Sequence, residues 1–189
     1  MSMIKEMTNQ EIADALADPA RRERVFTDIM NTYQRQIYWH IRRLVVRHED
    51  ADDILQNTFI KAWTSSASYR GDASITTWLY RIATNESIDF LNSAHQRYSS
   101  VLSEMDDYLV NSFSGDPWFD GDAAEQKLQE AILTLPRKQR IVFNLRYYDE
   151  MPYNEMSKVL DTTEGALKAS YHHAAKKVED FLRQSVKLS

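Results

Sequence analysis

Two groups of polar side chains, one in each half of the 189-residue chain, have residue types and spacings suited to binding. In the C-terminal group, Lys168, His172 and Lys176 recur every fourth residue, so they share one face of a helix. Ala169 and His173 lie beside them, and the small alanine would allow a partner to approach closely. Lysines on such a face can reach phosphates or guanine edges in the major groove of duplex DNA. This face is therefore a candidate DNA-binding surface, and the solvated face of an ordinary helical hairpin is the alternative.

The residues around this face have the pattern of a helix-turn-helix. Apolar spacing and capping residues predict a short helix over 153–160, a turn over 161–163 and a longer helix from 164 to about 183. The inward face of the longer helix is apolar and consists of Leu167, Ala174, Val178 and Phe181. Packing of that face against the domain would leave the lysine and histidine face outside.

The N-terminal group is an acidic and amide face on a predicted helix. Asp52, Asp53, Gln56 and Asn57 lie opposite a strongly apolar face of the same helix. Carboxylates and amides arranged in this way are complementary to a partner that offers arginines. A solvated carboxylate face is the alternative.

A loop with arginine, followed by an aromatic-rich helix, comes directly after this group. Arg70 precedes a glycine in the loop, and Tyr69, Trp78 and Tyr80 are close to it in sequence. Aromatic planes and polar groups at such a junction could stack on and read single-stranded bases. Burial in the core is the alternative, and helical spacing favours burial for Trp63 and Trp78.

The elements that position these groups are predicted to be helices throughout. Apolar residues recur at helical spacing over 20–47, from Ala51 onwards, and through Trp78 to about Leu91, with a serine-rich loop over 64–73. Only 4 glycines and 4 prolines occur, fewer than a β-sandwich or barrel with many tight turns would use. We therefore predict an all-α fold of two small domains joined by a linker. The predicted boundaries are 20–95 for the first domain, 96–122 for the acidic linker and 123–185 for the second domain.

Composition and charge exclude several classes of protein. The chain has no cysteine, which excludes disulfides, thiolate metal sites and a cysteine nucleophile. No apolar run approaches the ~20 residues that cross a bilayer, so we expect a cytoplasmic protein without membrane insertion. The net charge is -5, but residues 101–130 carry 1 basic and 8 acidic side chains, whereas residues 131–189 carry 10 basic and 7 acidic ones. The acidity is thus concentrated in the linker, and the C-terminal third is mildly basic.

Two sets of motifs resemble a known family. ADDILQNTFIKAW (51–63), YRGD (69–72) and TWLYRIATN (77–85) look like the second conserved region of bacterial extracytoplasmic-function (ECF) RNA polymerase sigma factors, in the sigma-70 family. LPRKQR (135–140), YNEM (153–156) and GALK (165–168) look like the fourth region. The resemblance covers about 20–95 and 123–183 in the family's order, which makes it strongly specific.

The resemblance implies a division of labour between the two domains. The N-terminal domain would bind the β′ clamp helices of core RNA polymerase, and it would recognise and open the minus-ten promoter element. The C-terminal domain would bind the β flap and read the minus-thirty-five element as duplex DNA. An anti-sigma factor is a further expected partner, and no cofactor or catalysis is expected. The acidic linker would act as an RNA mimic in the polymerase channel, or as a flexible tether, and the two domains would be mobile when free.

Site residues follow from the same resemblance, position by position. For core-polymerase binding they are Asp53, Gln56, Asn57, Phe59 and Ile60. For the minus-ten element they are Arg70, Arg81 and Asn85. Arg70 would hold a flipped base, and Arg81 would either contact a phosphate or form a structural ion pair. For the minus-thirty-five element they are Lys168, Ala169, His172, His173 and Lys176. The family often has glutamate where this chain has Asn57, which weakens the charge match to polymerase. It often has arginines on the C-terminal face, and the lysines and histidines here leave the promoter sequence open.

Two other functions compete with this one. A stand-alone helix-turn-helix regulator would bind duplex DNA without polymerase, but the acidic face and the arginine loop would then have no role. A small helical enzyme could use His40, His48, Asp52 and Asp53 as a metal or acid–base site. The chain has no Glu-x-x-His pair and no glycine-rich phosphate loop, which disfavours this hypothesis. The adjacent His172 and His173 point about 100° apart on a helix, so they are poor joint metal ligands.

Overall fold

The computed structural model describes residues 3–98 and 123–187, and within these ranges the chain is helical with no strand. The predicted all-α fold is confirmed. A 3-10 turn over Met3–Glu6 comes first, and a second one over Ser66–Ser68 follows the third helix. The α-helices are α1 (Asn9–Ala17), α2 (Pro19–Val45), α3 (His48–Ser65), α4 (Ile75–Tyr98), α5 (Ala123–Leu133), α6 (Arg137–Tyr147), α7 (Tyr153–Leu160) and α8 (Glu164–Lys187). Most of the predicted linker, residues 99–122, lies outside the described residues.

The long helix α2 is the centre of the N-terminal domain, where it packs against α1, α3 and α4. Its start is fixed by Asp18, whose side chain accepts a hydrogen bond from the backbone N–H of Ala20, and by Pro19 in the first turn. Its buried stripe follows the predicted helical spacing and includes Val25, Ile29, Ile37, Ile41 and Leu44. The apolar periodicity of α2 therefore corresponds to its packing in the core.

The break between α2 and α3 differs from the prediction. The sequence predicts it at residues 48–50, but α2 ends at Val45, the next residue Val46 has a φ of 69°, and α3 already begins at His48. Glu49 and Asp50 lie in the first turn of α3. Acidic side chains there interact favourably with the positive end of the helix dipole, so they start the helix instead of interrupting it.

The first helix, α1, was not predicted, because the sequence analysis began the domain at residue 20. Thr8 caps α1: its Oγ1 accepts a hydrogen bond from the Glu11 N–H at 3.3 Å, and the Glu11 carboxylate accepts one from the Thr8 N–H at 2.7 Å. Ile12 and Leu16 are buried in the domain core. The Thr-x-x-Glu spacing before apolar residues is a capping-box pattern that a closer analysis of the sequence would have found.

The C-terminal domain contains α5 to α8 and has the predicted helix-turn-helix. The short helix α7 has the predicted bounds, and Asp161 ends it in the left-handed conformation with a φ of 50°. Leu167, Ala174 and Val178 on α8 are buried as predicted, and Phe181 is half-buried and packs against the same core. These residues turn the opposite face of α8 outward.

The two domains contact each other directly, whereas the sequence suggested that they would be mobile when free. Helix α7 packs against α4, and α6 packs against α2. Asp149, in the turn between α6 and α7, accepts hydrogen bonds from Arg43 at 3.2 Å and Tyr80 at 3.0 Å, and its other oxygen lies 2.9 Å from Nδ1 of His40. The side chains of Asp149 and His40 are 4% and 0% exposed. The domains are therefore joined by a buried polar cluster.

Candidate functional site

The predicted acidic and amide face forms one wall of an open groove between α2 and α3. Asp53, Gln56, Asn57 and Ile60 are exposed, and Ile60 retains 54% of its surface in solvent. The groove has a volume of about 610 Å³ and is lined by Phe26, Met30, Gln34, Asp52, Asp53, Leu55, Gln56, Phe59, Ile60 and Trp63. Carboxylates and amides next to an exposed aliphatic side chain suit a partner helix with both basic and apolar groups.

Two of the five residues assigned to core-polymerase binding, Phe59 and Asn57, are not part of the exposed wall of the groove. Phe59 is only 8% exposed and packs edge-on against Phe26, with ring centroids 6.4 Å apart, so it forms the floor of the groove. Asn57 is exposed but does not line the groove. Trp63, 38% exposed, adds an aromatic surface that the sequence analysis had expected to find in the core.

The loop that carries Arg70 is held tightly on both sides of that residue. Arg70 itself is exposed, whereas the neighbouring Tyr69 is 7% exposed and donates a hydrogen bond from its hydroxyl to the Ala73 carbonyl at 2.7 Å. Burial raises the pKa of Tyr69 to about 12. The next residue, Gly71, has a φ of +77°, a conformation that favours glycine. The loop therefore presents the arginine to solvent from a fixed backbone.

The aromatic side chains near this loop are not the stacking platform that the sequence suggested. Tyr69 and Tyr80 are buried, and the Tyr80 hydroxyl bonds Asp149 of the other domain. Trp78 is half-buried and packs on Tyr69, with ring centroids 5.3 Å apart. The prediction of base stacking on Tyr69 and Tyr80 is therefore wrong, because both rings are used in packing. The prediction that Trp78 belongs to the core is confirmed.

Arg81 and Asn85 are exposed one helical turn apart on α4. Within the described part of the chain, Arg81 forms no ion pair, so the structural ion pair that the sequence left open is not found. Asn85 lines a cleft of about 520 Å³ between α3 and α4, together with Lys61 and Glu86, which bond each other. That bond raises the pKa of Lys61. Sequence analysis missed Lys61, a cation at the edge of this cleft.

The predicted DNA-binding face of α8 is assembled and open. Lys168, Ala169, His172, His173 and Lys176 are all exposed. Lys168 makes weak local contacts: its Nζ lies 3.7 Å from the Glu164 carboxylate and 5.6 Å from the centre of the Tyr153 ring. Both contacts can be exchanged for a phosphate or a base edge at little cost, since exposed ion pairs contribute little stability.

A second open groove, between α5, α6 and α8, was not found by sequence analysis. Its volume is about 750 Å³, and its apolar lining includes Leu128, Phe143, Tyr147, Tyr171, Val178 and Leu182. Phe143 stacks on Tyr147 and Tyr171, with ring centroids 5.2 and 5.7 Å apart, and Tyr147 is 48% exposed. One of its lining residues, Val178, belongs to the face of α8 that the sequence assigns to the core.

The residues of the hypothetical enzyme site lie in two different places, His40 at the contact between the domains and His48 with Asp52 at the start of α3. His40 is fully buried between Asp149 and Thr84, whereas His48 bonds Tyr38 at 2.6 Å and lies 3.3 Å from Asp52. Among residues 3–98 and 123–187 there is no group of three or more histidine or acidic side chains that could hold a metal ion. None of the helices described is long and apolar enough to cross a membrane.

Comparisons with known proteins identify the family. The model of Sigma-70 region 2 matches residues 29–97, and the model of Sigma-70, region 4 matches residues 125–178. The ECF RNA polymerase sigma factor SigW of Bacillus subtilis (strain 168) is 30% identical over 84% of this chain and 89% of its own length. The ECF RNA polymerase sigma-E factor of Haemophilus influenzae is 27% identical over 89% of this chain and 97% of its own length.

Two solved structures share the fold. The sigma factor RpoE of Bartonella quintana, in complex with the anti-sigma factor NepR, superimposes with a TM-score of 0.68 at 18% identity over 84% of this chain and 96% of that one. CnrH, in complex with the cytosolic domain of CnrY, has a TM-score of 0.67 at 19% identity over 93% of this chain and 97% of its own. At these identities the likeness concerns the fold alone. The family models and the curated relatives establish that the chain belongs to the ECF RNA polymerase sigma factors, and that its function is that of a sigma factor rather than a stand-alone helix-turn-helix regulator.

Proposed function

We propose that this sigma factor binds core RNA polymerase through the groove between α2 and α3. The observation that carries the proposal is the combination of exposed Asp53 and Gln56 with the exposed apolar surfaces of Ile60 and Trp63 in one groove. Arginines of the β′ clamp helices would pair with the carboxylate and the amide, while their apolar side chains cover Ile60. Asn57 contributes at the rim, and Phe59 supports the floor.

The minus-ten element would be bound by the surface that follows this groove. Arg70 would hold a flipped base, with Arg81 and Asn85 on the adjacent helix contacting the same DNA. Flipping costs a few kcal/mol of unstacking, which the contacts at Arg70 and Asn85 must offset. The exposure of all three side chains supports this assignment.

The C-terminal domain would bind both DNA and polymerase. The exposed face of α8, with Lys168, Ala169, His172, His173 and Lys176, would enter the major groove at the minus-thirty-five element. The apolar groove around Phe143 and Tyr147 would receive the β flap, because its aromatic surface is open and none of the five residues of the DNA-binding face lines it. The two partners would then contact different residues of the domain.

An anti-sigma factor is a further proposed partner, and the cytoplasm is the proposed location. RpoE of Bartonella quintana is described in complex with the anti-sigma factor NepR, and CnrH in complex with the cytosolic domain of CnrY. Their shared fold with this chain supports a similar partner here.

Promoter binding requires the two domains to separate from the arrangement that the structure describes. The minus-ten and minus-thirty-five elements are separated by about 25 base pairs, or roughly 85 Å of duplex at about 3.4 Å per pair. A compact chain of this length has a radius of gyration of about 16 Å. The closed protein would therefore reach one element at a time, and the cluster around Asp149 must open before both are bound.

Reconstitution with bacterial core RNA polymerase tests the proposal. The purified protein is mixed with core enzyme, complex formation is followed by size exclusion, and transcription is measured from a promoter library. We expect a stable complex and new, selective start sites. No complex with core, together with tight duplex binding by the protein alone, would overturn the proposed polymerase contact.

A double variant locates the polymerase contact on the protein. Asp53→Arg with Gln56→Ala is expected to abolish core binding while both domains remain folded, because it reverses the charge of the groove wall and removes its amide. Glu23→Arg reverses an exposed charge elsewhere on α2 and serves as the control. Intact core binding by the double variant would contradict the assignment of this groove.

A further inference from the structure

The chain before the matched region 2 contacts the loop that carries Arg70. The family model begins at residue 29, whereas the structure places the Met3–Glu6 turn, α1 and the first turns of α2 earlier in the chain. Ile4 is 2% exposed, and its N–H donates a hydrogen bond to the Asp28 carboxylate at 3.1 Å. Ile12 and Leu16 on α1 are buried in the same core. This N-terminal segment is thus a fixed part of the domain.

The first contact with the loop is between two backbones. A Cβ atom added to Gly71 would lie 3.0 Å from the Asn9 carbonyl oxygen and 3.1 Å from its carbon, at the start of α1. The φ of +77° also disfavours any side chain at this position. The capping box of Thr8 and Glu11 fixes where α1 begins, so the backbone of Asn9 has little freedom to retreat. Gly71 therefore allows the loop to pack closely against the fixed start of α1.

The second contact comes from Arg22 on α2. Its Nε donates a hydrogen bond to the buried Ser66 hydroxyl at 2.8 Å, and its terminal nitrogen donates one to the Trp63 carbonyl at 2.6 Å. Its guanidinium also lies 4.5 Å from the centre of the Trp63 ring. Arg22 thus fixes the end of α3 and the beginning of the loop together.

We infer that the N-terminal segment 3–22 positions the loop for promoter DNA, with Arg22 and Gly71 as positioning residues on either side of Arg70. The inference rests on the proposed role of Arg70 in minus-ten binding. The loop is tied at Ser66 by Arg22, at Tyr69 by its bond to Ala73, and at Gly71 by the end of α1. Arg70 is exposed, and the residues directly before and after it, Tyr69 and Gly71, are both held in place by these contacts.

The benefit of this arrangement is pre-organisation. A free loop would lose backbone freedom at every residue when it captures a base, and that loss would weaken binding. A loop already ordered by α1 and α2 has lost that freedom during folding. Contacts from Arg70 can then contribute to minus-ten binding without this additional loss.

The test uses holoenzyme reconstituted from core polymerase and the full chain. The probe is a single-stranded oligonucleotide carrying the minus-ten sequence obtained in the promoter-library experiment. Gly71→Ala is expected to raise the Kd for this probe about tenfold, by displacing the loop from α1, and to leave the Kd for core within twofold of the wild type. Asn9→Ala keeps the contacting backbone and is the matched control, expected to bind the probe as wild type does.

Arg22 variants test the second contact. Arg22→Ala is expected to raise the Kd for the probe about tenfold, and Arg22→Lys, which keeps the cation but not the forked donors, to give a smaller rise. Trp63 also lines the groove proposed for polymerase binding. The inference therefore requires that Arg22→Ala raises the Kd for the probe more than it raises the Kd for core. Arg24→Ala removes a nearby exposed arginine and should have no effect on either.

Arg70→Ala separates failure of this inference from failure of the proposed function. If Arg70→Ala binds the probe as wild type does, the proposed role of the loop in minus-ten binding is wrong, and the inference falls with it. If Arg70→Ala weakens probe binding but the Arg22 and Gly71 variants do not, the positioning inference alone is overturned. Thermal melting shows whether each variant folds, and if Gly71→Ala does not, Arg22→Lys decides the result.

Discussion

Replacing Asp149 with alanine should open the contact between the two domains. Its carboxylate lies in the turn between α6 and α7, and its side-chain bonds all cross to the N-terminal domain, where they reach His40, Arg43 and Tyr80. A carboxylate only accepts hydrogen bonds, so Nδ1 of the histidine donates, and in the neutral ring Nε2 accepts from Thr84 at 2.9 Å. Alanine would remove the acceptor from all three donors at once.

The expected loss follows from burial. Removing one partner of a buried ion pair typically costs about 3–5 kcal/mol, because the remaining charge is left without compensation. Arg43 retains 19% of its side-chain exposure, which allows some water to replace the lost carboxylate. We therefore expect the lower end of the range, about 3 kcal/mol. At about 1.4 kcal/mol for each factor of ten, the ratio of closed to open molecules would fall roughly a hundredfold.

The chain has no cysteine, so a pair of spin labels can be placed without background. Glu23→Cys and Asp180→Cys put one label on an exposed site of each domain. Pulsed electron paramagnetic resonance should give one narrow distance distribution for the wild type, and a broad distribution after Asp149→Ala. Asp149→Asn should be intermediate, because the amide keeps one acceptor oxygen.

The control removes a neighbouring charge from the same turn. Glu150→Gln keeps the backbone conformation and removes a negative charge from an exposed side chain, so its distance distribution should match the wild type. An unchanged distribution in Asp149→Ala, with both domains folded, would refute the conclusion that this carboxylate holds the domains together.

Three further predictions concern single positions. Lys168→Ala should weaken use of the minus-thirty-five element by about 1–3 kcal/mol if the lysine reads a base, measured as the change in promoter preference; an unchanged preference would make it a solvated lysine. Burial raises the pKa of Tyr69 from 10.0 to about 12, so its stabilising effect is complete below pH 10 and is lost as the pH rises through 12. Alkaline unfolding should therefore be less steep in Tyr69→Phe, and an identical pH profile would contradict this. Leu79 is fully buried, so Leu79→Ala should lower the free energy of unfolding by about 2–5 kcal/mol in urea titrations, and a loss within error of zero would contradict its core position.

The helices and the outward face of α8 could be predicted because both depend on local periodicity. An apolar stripe at helical spacing fixes which side of a helix packs inward, and the opposite side must then face solvent. This reasoning placed Lys168, His172 and Lys176 outside, and it found the bounds of the short helix α7. No information about distant parts of the chain was needed.

The aromatic residues near Arg70 could not be assigned in this way. Whether Tyr69 or Tyr80 is exposed depends on what covers it, and periodicity says nothing about the covering element. Tyr80 is covered by residues distant in sequence: its ring packs against His40, with ring centroids 4.8 Å apart, and its hydroxyl donates a hydrogen bond to Asp149 of the other domain. The apolar groove around Tyr147 was missed for the converse reason, since nothing within the described chain covers it.

The contact between the domains depends on pairs that no local pattern reveals. His40 and Asp149 are 109 residues apart, and each alone is an ordinary polar residue. Further polar pairs join the same domains, Thr77 with Glu155 and Arg137 with Asn92. Polar groups gain little net free energy on burial, because the same groups bond water when the interface opens. These pairs make the interface specific in geometry while adding little to the free energy that holds it closed. Buried apolar residues of both domains, among them Leu79, Ile141 and Met156, also form one continuous core, so the separation that two distant promoter elements require must expose that apolar surface as well.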